Sequence, residues 1–286
     1  MRRFLFIFCI LLILSICLMG QTDQEATIIK KYDSSLQKII DIQKKIHRLH
    51  PFLKKLYPVA ILEEGSFYLF DINLSQNRYE FAKSAPSSFE AQQGLRAAFP
   101  LDFYDNKTTC VVTGEVFDDL SGYVLIFHEF IHCAQAENGE QELKSELGVV
   151  QKAMAEKNYR WELEHSFPYE DNDFVDIYSV FLEKAAAKDA EGVGRCRIFL
   201  KEMLNTHDYE YLVWQEWKEG FARMIENRIR TRLGLEENQG GIEKPFTRVT
   251  FYQGGALFIS ILISQDKKLE SDIKALFHYM LSGIVP

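Results

Sequence analysis

The chain has 286 residues, of which 47% are hydrophobic and 13% aromatic, so it can bury a sizeable core. Its formal net charge of −8 argues against a nucleic-acid partner, because such proteins carry basic surfaces for the phosphate backbone. The sequence contains no internal repeat, no low-complexity tract and no C-x-x-C pair that would offer cysteine ligands to a metal.

The first twenty residues predict a targeting segment. A basic start, MRR, precedes an almost unbroken apolar run from Phe4 to Met19. That run of 16 residues is short for a membrane span, which needs about 20, and only slightly longer than the core of a signal peptide. We therefore expect an exported protein that is periplasmic, on the cell surface or anchored in a membrane. The segment 1–20 is either a cleaved signal peptide or a retained anchor, and LSIC, which ends at Cys17, resembles the lipobox of bacterial lipoproteins.

Residues 21–286 predict a single domain of the α+β class, mostly helical. Residues 24–50 have the apolar spacing of an amphipathic helix. Short β-branched and aromatic runs at 58–83 and 108–117, separated by glycine and polar turns, predict the strands of a small antiparallel sheet. From about residue 119 onward the pattern predicts helices.

The helical part begins with a helix over 121–136 and continues with a helical insertion at approximately 140–207. A long helix over 208–234 and two closing helices follow. The predicted parts of the insertion are a long helix at 140–165, a break, a helix at 173–191, a turn at Gly192 and Gly194, and a helix at 195–205.

The stretch FHEFIHCAQ, residues 127–135, carries the strongest chemical signal. His128 and His132 are four residues apart, so on a helix both imidazoles face the same side and can bind one metal ion. Glu129 is rotated by about 100° from His128, where it can reach a water molecule as a general base. This H-E-x-x-H arrangement is typical of zinc hydrolases. The open alternative is a core helix with two hydrogen-bonded histidines.

A catalytic zinc ion needs a third protein ligand, and WKEGFARMIEN at 217–227 offers a candidate. An H-E-x-x-H helix followed by a second helix with E-G-F-A resembles the gluzincin metallopeptidases, and the aminopeptidase type most of all. The resemblance implies that Glu219 joins His128 and His132 as a ligand of one Zn²⁺, and that Glu226 supports the ligands from behind. YQGGALFISIL, further along the chain, resembles the helix that often follows in this clan.

The residue types around Glu219 favour the same role. Trp214, Trp217 and Phe221 are its neighbours on the helix, and an unpaired carboxylate is costly in such surroundings. A metal ion would supply the missing partner. The alternatives that stay open are a surface ion pair of Glu219 with Arg223, and ligation by Glu216 or Glu226 instead.

The resemblance also implies a reaction, the hydrolysis of peptide bonds by zinc-activated water with Glu129 as the general base. A further donor is needed where charge develops on the carbonyl oxygen. Tyr252 is the candidate, with Tyr211 and His207 as alternatives. Lys218 stands where the aminopeptidases often have asparagine, and their glycine-rich substrate motif is absent, so aminopeptidase specificity is not implied.

Three functions are compatible with these residues. The first is an exported zinc-dependent metallopeptidase that acts on a peptide or protein substrate. The second is a non-enzymatic module, exported or anchored, that keeps a zinc-stabilised or degenerate version of the fold. The third is a zinc hydrolase of a non-peptide substrate. The intact Glu129 favours an enzyme, because a structural zinc site needs no general base. Membrane association through the N-terminal segment or a lipidated Cys17 is a further expectation.

Overall fold

The computed structural model describes the backbone of residues 2–90 and 92–283, and the side chains of residues 23–90 and 92–283. These residues form two compact units. One contains the chain up to Lys45 together with Lys55–Ile126, and the other contains Ile46–Lys54 together with the chain from Phe127 onward. The single domain that the sequence predicts over 21–286 stays a prediction.

The predicted targeting segment, residues 1–20 with Cys17, lies outside the residues whose side chains are described. Its role as a signal peptide or anchor stays a prediction. Within the part of the chain that is described, no helix has both the length and the apolar character that a membrane span requires.

The first unit contains a five-stranded sheet in the order β3-β2-β1-β5-β4. Helix α1 (Arg2–Ile46) precedes the sheet in the chain. The strands are β1 (Val59–Glu63), β2 (Ser66–Asn73), β3 (Arg78–Pro86), β4 (Arg96–Leu101) and β5 (Lys107–Val112).

The sheet is mixed, which corrects the expectation of a purely antiparallel one. Strands β1 and β2, β2 and β3, and β4 and β5 pair antiparallel, whereas β1 and β5 pair parallel, with Val59 opposite Cys110. A parallel pair needs a long crossover connection, and here β2, β3 and β4 all lie between the two strands in the chain. The core of this unit is a cluster of buried residues that includes Ala60, Leu62, Leu69 and Val111.

Among the five strands that the structure describes, β4 is the one that the sequence does not predict. Its sequence, RAAFPL, contains two alanines and a proline, which are uncommon in strands. It forms an edge of the sheet and pairs with β5, with Pro100 opposite Thr108. Proline is tolerated in an edge strand because its missing N–H leaves few ladder hydrogen bonds unmade.

The second unit is helical, and the mostly helical α+β class is confirmed. Helix α2 (Leu120–Glu137) begins in the first unit and continues into the second. The helices that follow are α3 (Glu140–Glu146), α4 (Gly148–Ala155), α5 (Trp161–Glu164), α6 (Asn172–Ala186), α7 (Ala190–Met203), α8 (Thr206–Gln215), α9 (Phe221–Arg232), α10 (Thr250–Gln265) and α11 (Ile273–Ser282). Helices α3 to α7 occupy the predicted insertion.

Two details of the insertion differ from the expectation. The single helix predicted over 140–165 is three short helices, the first of which ends where Leu147 adopts extended backbone. The turn predicted at Gly192 and Gly194 is wrong, because both residues lie inside α7. The side chain of Asp189 caps that helix by accepting a hydrogen bond from the Gly192 N–H, a start signal that outweighs the two glycines.

The helix predicted over 208–234 is continuous but changes its winding. Between α8 and α9, residues Glu216–Gly220 form one π-helical turn, a feature that recurs at functional sites. Gly220 in this turn meets Gly255 of α10 at close range, since a Cβ on Gly220 would lie 2.6 Å from the Gly255 backbone. The contact between two glycines therefore brings α10, and with it Tyr252, against the π-helical turn.

Candidate metal centre

Helix α2 presents the two predicted histidine ligands from a nearly buried position. His128 and His132 are each 6% exposed, and their ring centroids are 4.9 Å apart, as the i, i+4 spacing predicts. Phe130 and Ile131, on other faces of the helix, are fully buried. Apolar packing of these faces fixes the helix and so fixes where the imidazoles lie.

The third residue of the centre, Glu219, comes from the π-helical turn. Its Oε2 lies 3.5 Å from His128 Nε2 and 3.4 Å from His132 Nε2. One ligand atom from each of the three residues lies within 4.8 Å of the others. Ligand atoms about 2.0–2.2 Å from a tetrahedral zinc ion lie about 3.4 Å from one another, so this donor set fits zinc. The structure brings the three residues together, and their role as ligands stays a prediction.

The Nδ1 atoms of both imidazoles face away from Glu219 and have partners of their own. His128 Nδ1 donates to Glu226 Oε2 at 3.0 Å, and His132 Nδ1 donates to Gln135 Oε1 at 2.8 Å. These bonds assign the proton to Nδ1 and leave the Nε2 lone pairs for an ion. Outer hydrogen bonds of this kind orient the histidine ligands of metal sites.

Gln135 links α2 to the turn that carries Glu219. Its Nε2 donates to the Lys218 carbonyl oxygen at 3.1 Å and is 3.4 Å from the Trp217 carbonyl oxygen. Both carbonyls belong to the π-helical turn, where the ordinary i to i+4 bonding is altered. One side chain therefore orients His132 and positions the turn of the third ligand candidate.

Glu226 is held behind His128 and is not a ligand candidate in this geometry. Its carboxylate accepts hydrogen bonds from Arg223 Nε at 3.2 Å and Asn238 Nδ2 at 3.0 Å, besides the bond from His128. Burial opposes its ionisation, but the bond to His128 and the charge of Arg223 outweigh burial and lower its pKa to about 2. The alternative pairing of Arg223 with Glu219 is not formed, because Arg223 pairs with Glu226 instead.

The three ligand candidates attract a positive charge. Burial disfavours a charged His128, but its interactions with Glu219 and Glu226 outweigh burial and raise its pKa to about 10. Burial likewise opposes ionisation of Glu219, yet the two histidines hold the pKa of its carboxyl well below the usual range. A divalent cation would supply the positive charge that a proton on His128 supplies here, which is what a metal site requires.

Glu129 stands beside the ligand candidates and is 8% exposed. Burial raises the pKa of its carboxyl, and the charge of Glu219 adds to the rise, whereas His132 and His128 oppose it. These electrostatic interactions require the Glu129 carboxylate to lie near His128, His132 and Glu219. A raised pKa suits a carboxylate that must take up a proton near neutral pH.

Glu216, an alternative ligand in the sequence analysis, is bonded to residues outside the metal centre. It is fully buried, and its two oxygens accept hydrogen bonds from Arg197 Nη1 at 2.6 Å and from Tyr178 Oη at 2.9 Å. The Arg197 guanidinium lies over the rings of Phe181 and Phe258. Glu216 therefore belongs to a buried ion pair and does not contribute to the metal centre.

Tyr252 lies near Glu219, with which its phenol interacts, and its role as a donor stays a prediction. Burial raises the pKa of its phenol, and the negative charge of Glu219 adds to the rise. The Arg223 and Arg248 guanidiniums lie 5.5 Å and 5.2 Å from its ring centroid. Arg248 Nη1 also lies 3.6 Å from Glu219 Oε1, the oxygen that faces away from the histidines.

The two alternatives to Tyr252 are occupied otherwise. The Tyr211 hydroxyl donates to the Glu162 carbonyl oxygen at 3.1 Å and is 3.5 Å from the Tyr169 hydroxyl. His207 lines a separate cleft with Asp208 and His165. Tyr252 is accordingly the candidate that the geometry favours.

Lys218, which departs from the aminopeptidase pattern, forms ion pairs with residues of the insertion. Its Nζ lies 3.0 Å from Glu140 and 2.9 Å from Glu162, and Lys144 Nζ lies 2.8 Å and 2.7 Å from the same two carboxylates. Two lysines and two glutamates balance one another, and three of the four belong to the insertion. The insertion thus fixes the residue next to Glu219.

Sequence reasoning missed several contributors to the site, among them Gln135 and Arg248. Gln135 follows His132 by three residues on the same helix face, a spacing that could have indicated a partner for the imidazole. Arg248 lies in the segment before α10, which has no periodic pattern, so nothing local in the sequence pointed to it.

No protein-family model, no curated protein and no solved structure matches this chain. The assignment of the centre therefore depends on its own geometry and on the gluzincin resemblance of its two helices.

Replacing Glu226 by glutamine is expected to weaken zinc binding about 10–100-fold, as loss of an outer partner of a histidine ligand commonly does. The amide accepts a weaker hydrogen bond from His128 Nδ1 and leaves Arg223 without its counter-charge. Competition with a fluorescent zinc chelator measures the affinity. Glu270→Gln, which removes a partner of Arg228 outside the centre, is the control, and equal affinities of the two variants would contradict the expected role.

Proposed function

We propose that this protein is a zinc-dependent peptidase whose metal is held by His128, His132 and Glu219. The observation that carries the proposal is the convergence of three ligand atoms within 4.8 Å while both histidine Nδ1 atoms are held from behind. The gluzincin resemblance, with Glu129 directly after the first histidine, supports peptide hydrolysis as the reaction.

Glu129 is the proton carrier in this proposal. A zinc ion bound at this centre lowers the pKa of water and polarises a carbonyl oxygen. Glu129 accepts the proton of the attacking water and delivers it to the nitrogen of the departing amine. Its nearly buried position keeps bulk water from competing for that proton.

Tyr252 is the donor to the substrate carbonyl. A phenol is protonated at neutral pH, and burial and the charge of Glu219 raise the pKa of Tyr252 further. It can therefore donate a hydrogen bond to the carbonyl oxygen as negative charge develops there. The glycine contact between the π-helical turn and α10 keeps the helix of Tyr252 against the turn that carries Glu219.

Metal content and peptide cleavage test the proposal together. The purified protein is expected to contain one equivalent of zinc and to cleave members of a mixed peptide library, as read by mass spectrometry. Removing zinc with a chelator should abolish cleavage, and adding zinc back should restore it. Zinc without cleavage would favour a non-peptide hydrolase or a zinc-stabilised binding module. A protein that binds no zinc would contradict the proposal.

A further inference from the structure

Arg248 is the most solvent-accessible charged side chain that reaches the metal centre. Its side chain is 29% exposed, compared with 14% for Glu219 and 8% or less for the two histidines. Its Nη1 lies 3.4 Å from Gln215 Oε1 and 3.6 Å from Glu219 Oε1. Both contacts are longer than the roughly 2.7–2.9 Å of a good charge-assisted hydrogen bond. The guanidinium also bonds the Tyr252 hydroxyl, and the rest of its five N–H donors can serve a further partner.

The other three cations near the centre already have partners. Arg230 lies 3.7 Å from Glu226 Oε1 and donates to the Glu236 carbonyl oxygen. Arg223 donates to Glu226 and to the carbonyl oxygens of Asn238 and Gly240, and its side chain is 7% exposed. Lys218 is paired with two carboxylates of the insertion. Arg248 is therefore the partly exposed cation that an incoming molecule can contact at the centre.

The charges of the centre do not cancel. Glu129, Glu219 and Glu226 contribute three negative charges, whereas Arg223, Arg230, Arg248 and a divalent metal contribute five positive ones. The Lys218 cluster is balanced within itself. The loaded centre therefore carries two net positive charges, one of which comes from Arg248. A nearly buried site of this sign favours an anionic group on its ligand.

The position of Arg248 sets where that anionic group must be. Glu219 directs Oε2 to the histidines and Oε1 to Arg248, so the guanidinium lies on the outer side of the ligand carboxylate. One extended peptide residue spans about 3.3–3.6 Å. A group bound to Arg248 is then within about one or two residues of a carbonyl at the metal.

From this geometry we infer that Arg248 is a specificity-determining residue that binds a carboxylate of the substrate close to the scissile bond. The inference rests on the proposed peptidase function and names its substrate class, peptides with an anionic group at the cleavage site. The carboxylate has two possible sources, a free C-terminus or an Asp or Glu side chain. An arginine binds either one through two parallel N–H donors.

Peptide binding tests the inference without catalysis. Zinc-loaded Glu129→Gln protein is titrated with labelled alanine peptides that have a free C-terminus, an amidated C-terminus, or an amidated C-terminus with one internal Asp or Asn. Introducing Arg248→Ala into the Glu129→Gln protein should weaken binding of the carboxylate peptides about 10–100-fold, the equivalent of one hydrogen bond to a charged group. The affinity for the neutral peptides should change by less than about twofold. Arg248→Lys keeps the positive charge but loses the paired donors. Its affinity for the carboxylate peptides should lie between the affinities of the proteins with Arg248 and with Arg248→Ala. Arg228→Ala, a partly exposed arginine outside the centre, is the control.

The outcomes separate the inference from the function on which it rests. Preference for the free C-terminus or for the internal Asp identifies the source of the carboxylate. Equal weakening of carboxylate and neutral peptides by Arg248→Ala would overturn the inference and leave Arg248 as a positioning residue for Glu219. Wild-type protein that cleaves the library without preference for carboxylates would also overturn it and leave the peptidase proposal intact. Absence of zinc and of cleavage in the wild type would instead contradict the proposed function.

Discussion

Glu129→Gln is expected to lower the turnover number for peptide hydrolysis by about 10²–10⁴ while the protein still binds one equivalent of zinc. Glutamine has the shape of glutamate but cannot accept the proton of the attacking water or return it to the departing amine. Zinc content, measured by plasma mass spectrometry, and turnover of the best library peptide are determined on the same sample.

The zinc content should be preserved because Glu129 is not among the three residues whose ligand atoms converge. Removing its charge also relieves repulsion with Glu219, since each carboxylate raises the cost of ionising the other. Metal affinity measured on this variant should therefore stay within a few-fold of the wild type. A loss of zinc together with activity would mean that Glu129 is a ligand, and the proposed division of roles would be wrong.

Glu137→Gln provides the matched control for this experiment. Glu137 is an exposed residue at the end of the same helix, and it receives the same chemical change eight residues further along. Its turnover is expected to equal that of the wild type. An equal loss of activity in both variants would point to a disturbed helix α2, and the role of Glu129 would lose its support.

The parts of the site that the sequence predicts are those encoded by local spacing. His128 and His132 can be paired from their separation alone, because the helix period puts them on one face. The apolar residues around them predict a buried helix, and α2 is one. Glu219 needed the resemblance to a known helix pair, since it lies 87 residues after His132 and no periodicity relates the two.

The parts that the sequence does not predict depend on tertiary contacts. The π-helical turn at Glu216–Gly220 has no signature in single residues, although Gly220 permits the close approach of α10 that accompanies it. Arg248 reaches Glu219 only because the segment before α10 is packed near α8 and α9. The parallel pairing of β1 and β5 is likewise set by a crossover, which strand patterns do not reveal.

Glu219→Ala is expected to weaken zinc binding more than Glu226→Gln, that is, by more than about 100-fold. The variant removes a ligand candidate itself, so a bound ion would keep two histidines and lose its charged donor. A competition titration of both variants against one chelator gives the two affinities. Glu183→Ala, the same change at an exposed position of α6, is the control and should bind zinc as the wild type does.

The metal-free form of Glu219→Ala offers an independent check of the same residue. Glu219 and Glu226 together raise the pKa of His128 to about 10, so losing Glu219 should lower that pKa. The His128 proton would then leave at lower pH, which NMR titration of the metal-free protein can follow. If the metal-free titration moved as expected while zinc affinity stayed unchanged, Glu219 would lie beside the histidines without binding the ion. The third ligand would then have to come from another residue. Only the H-E-x-x-H helix would still support the gluzincin resemblance.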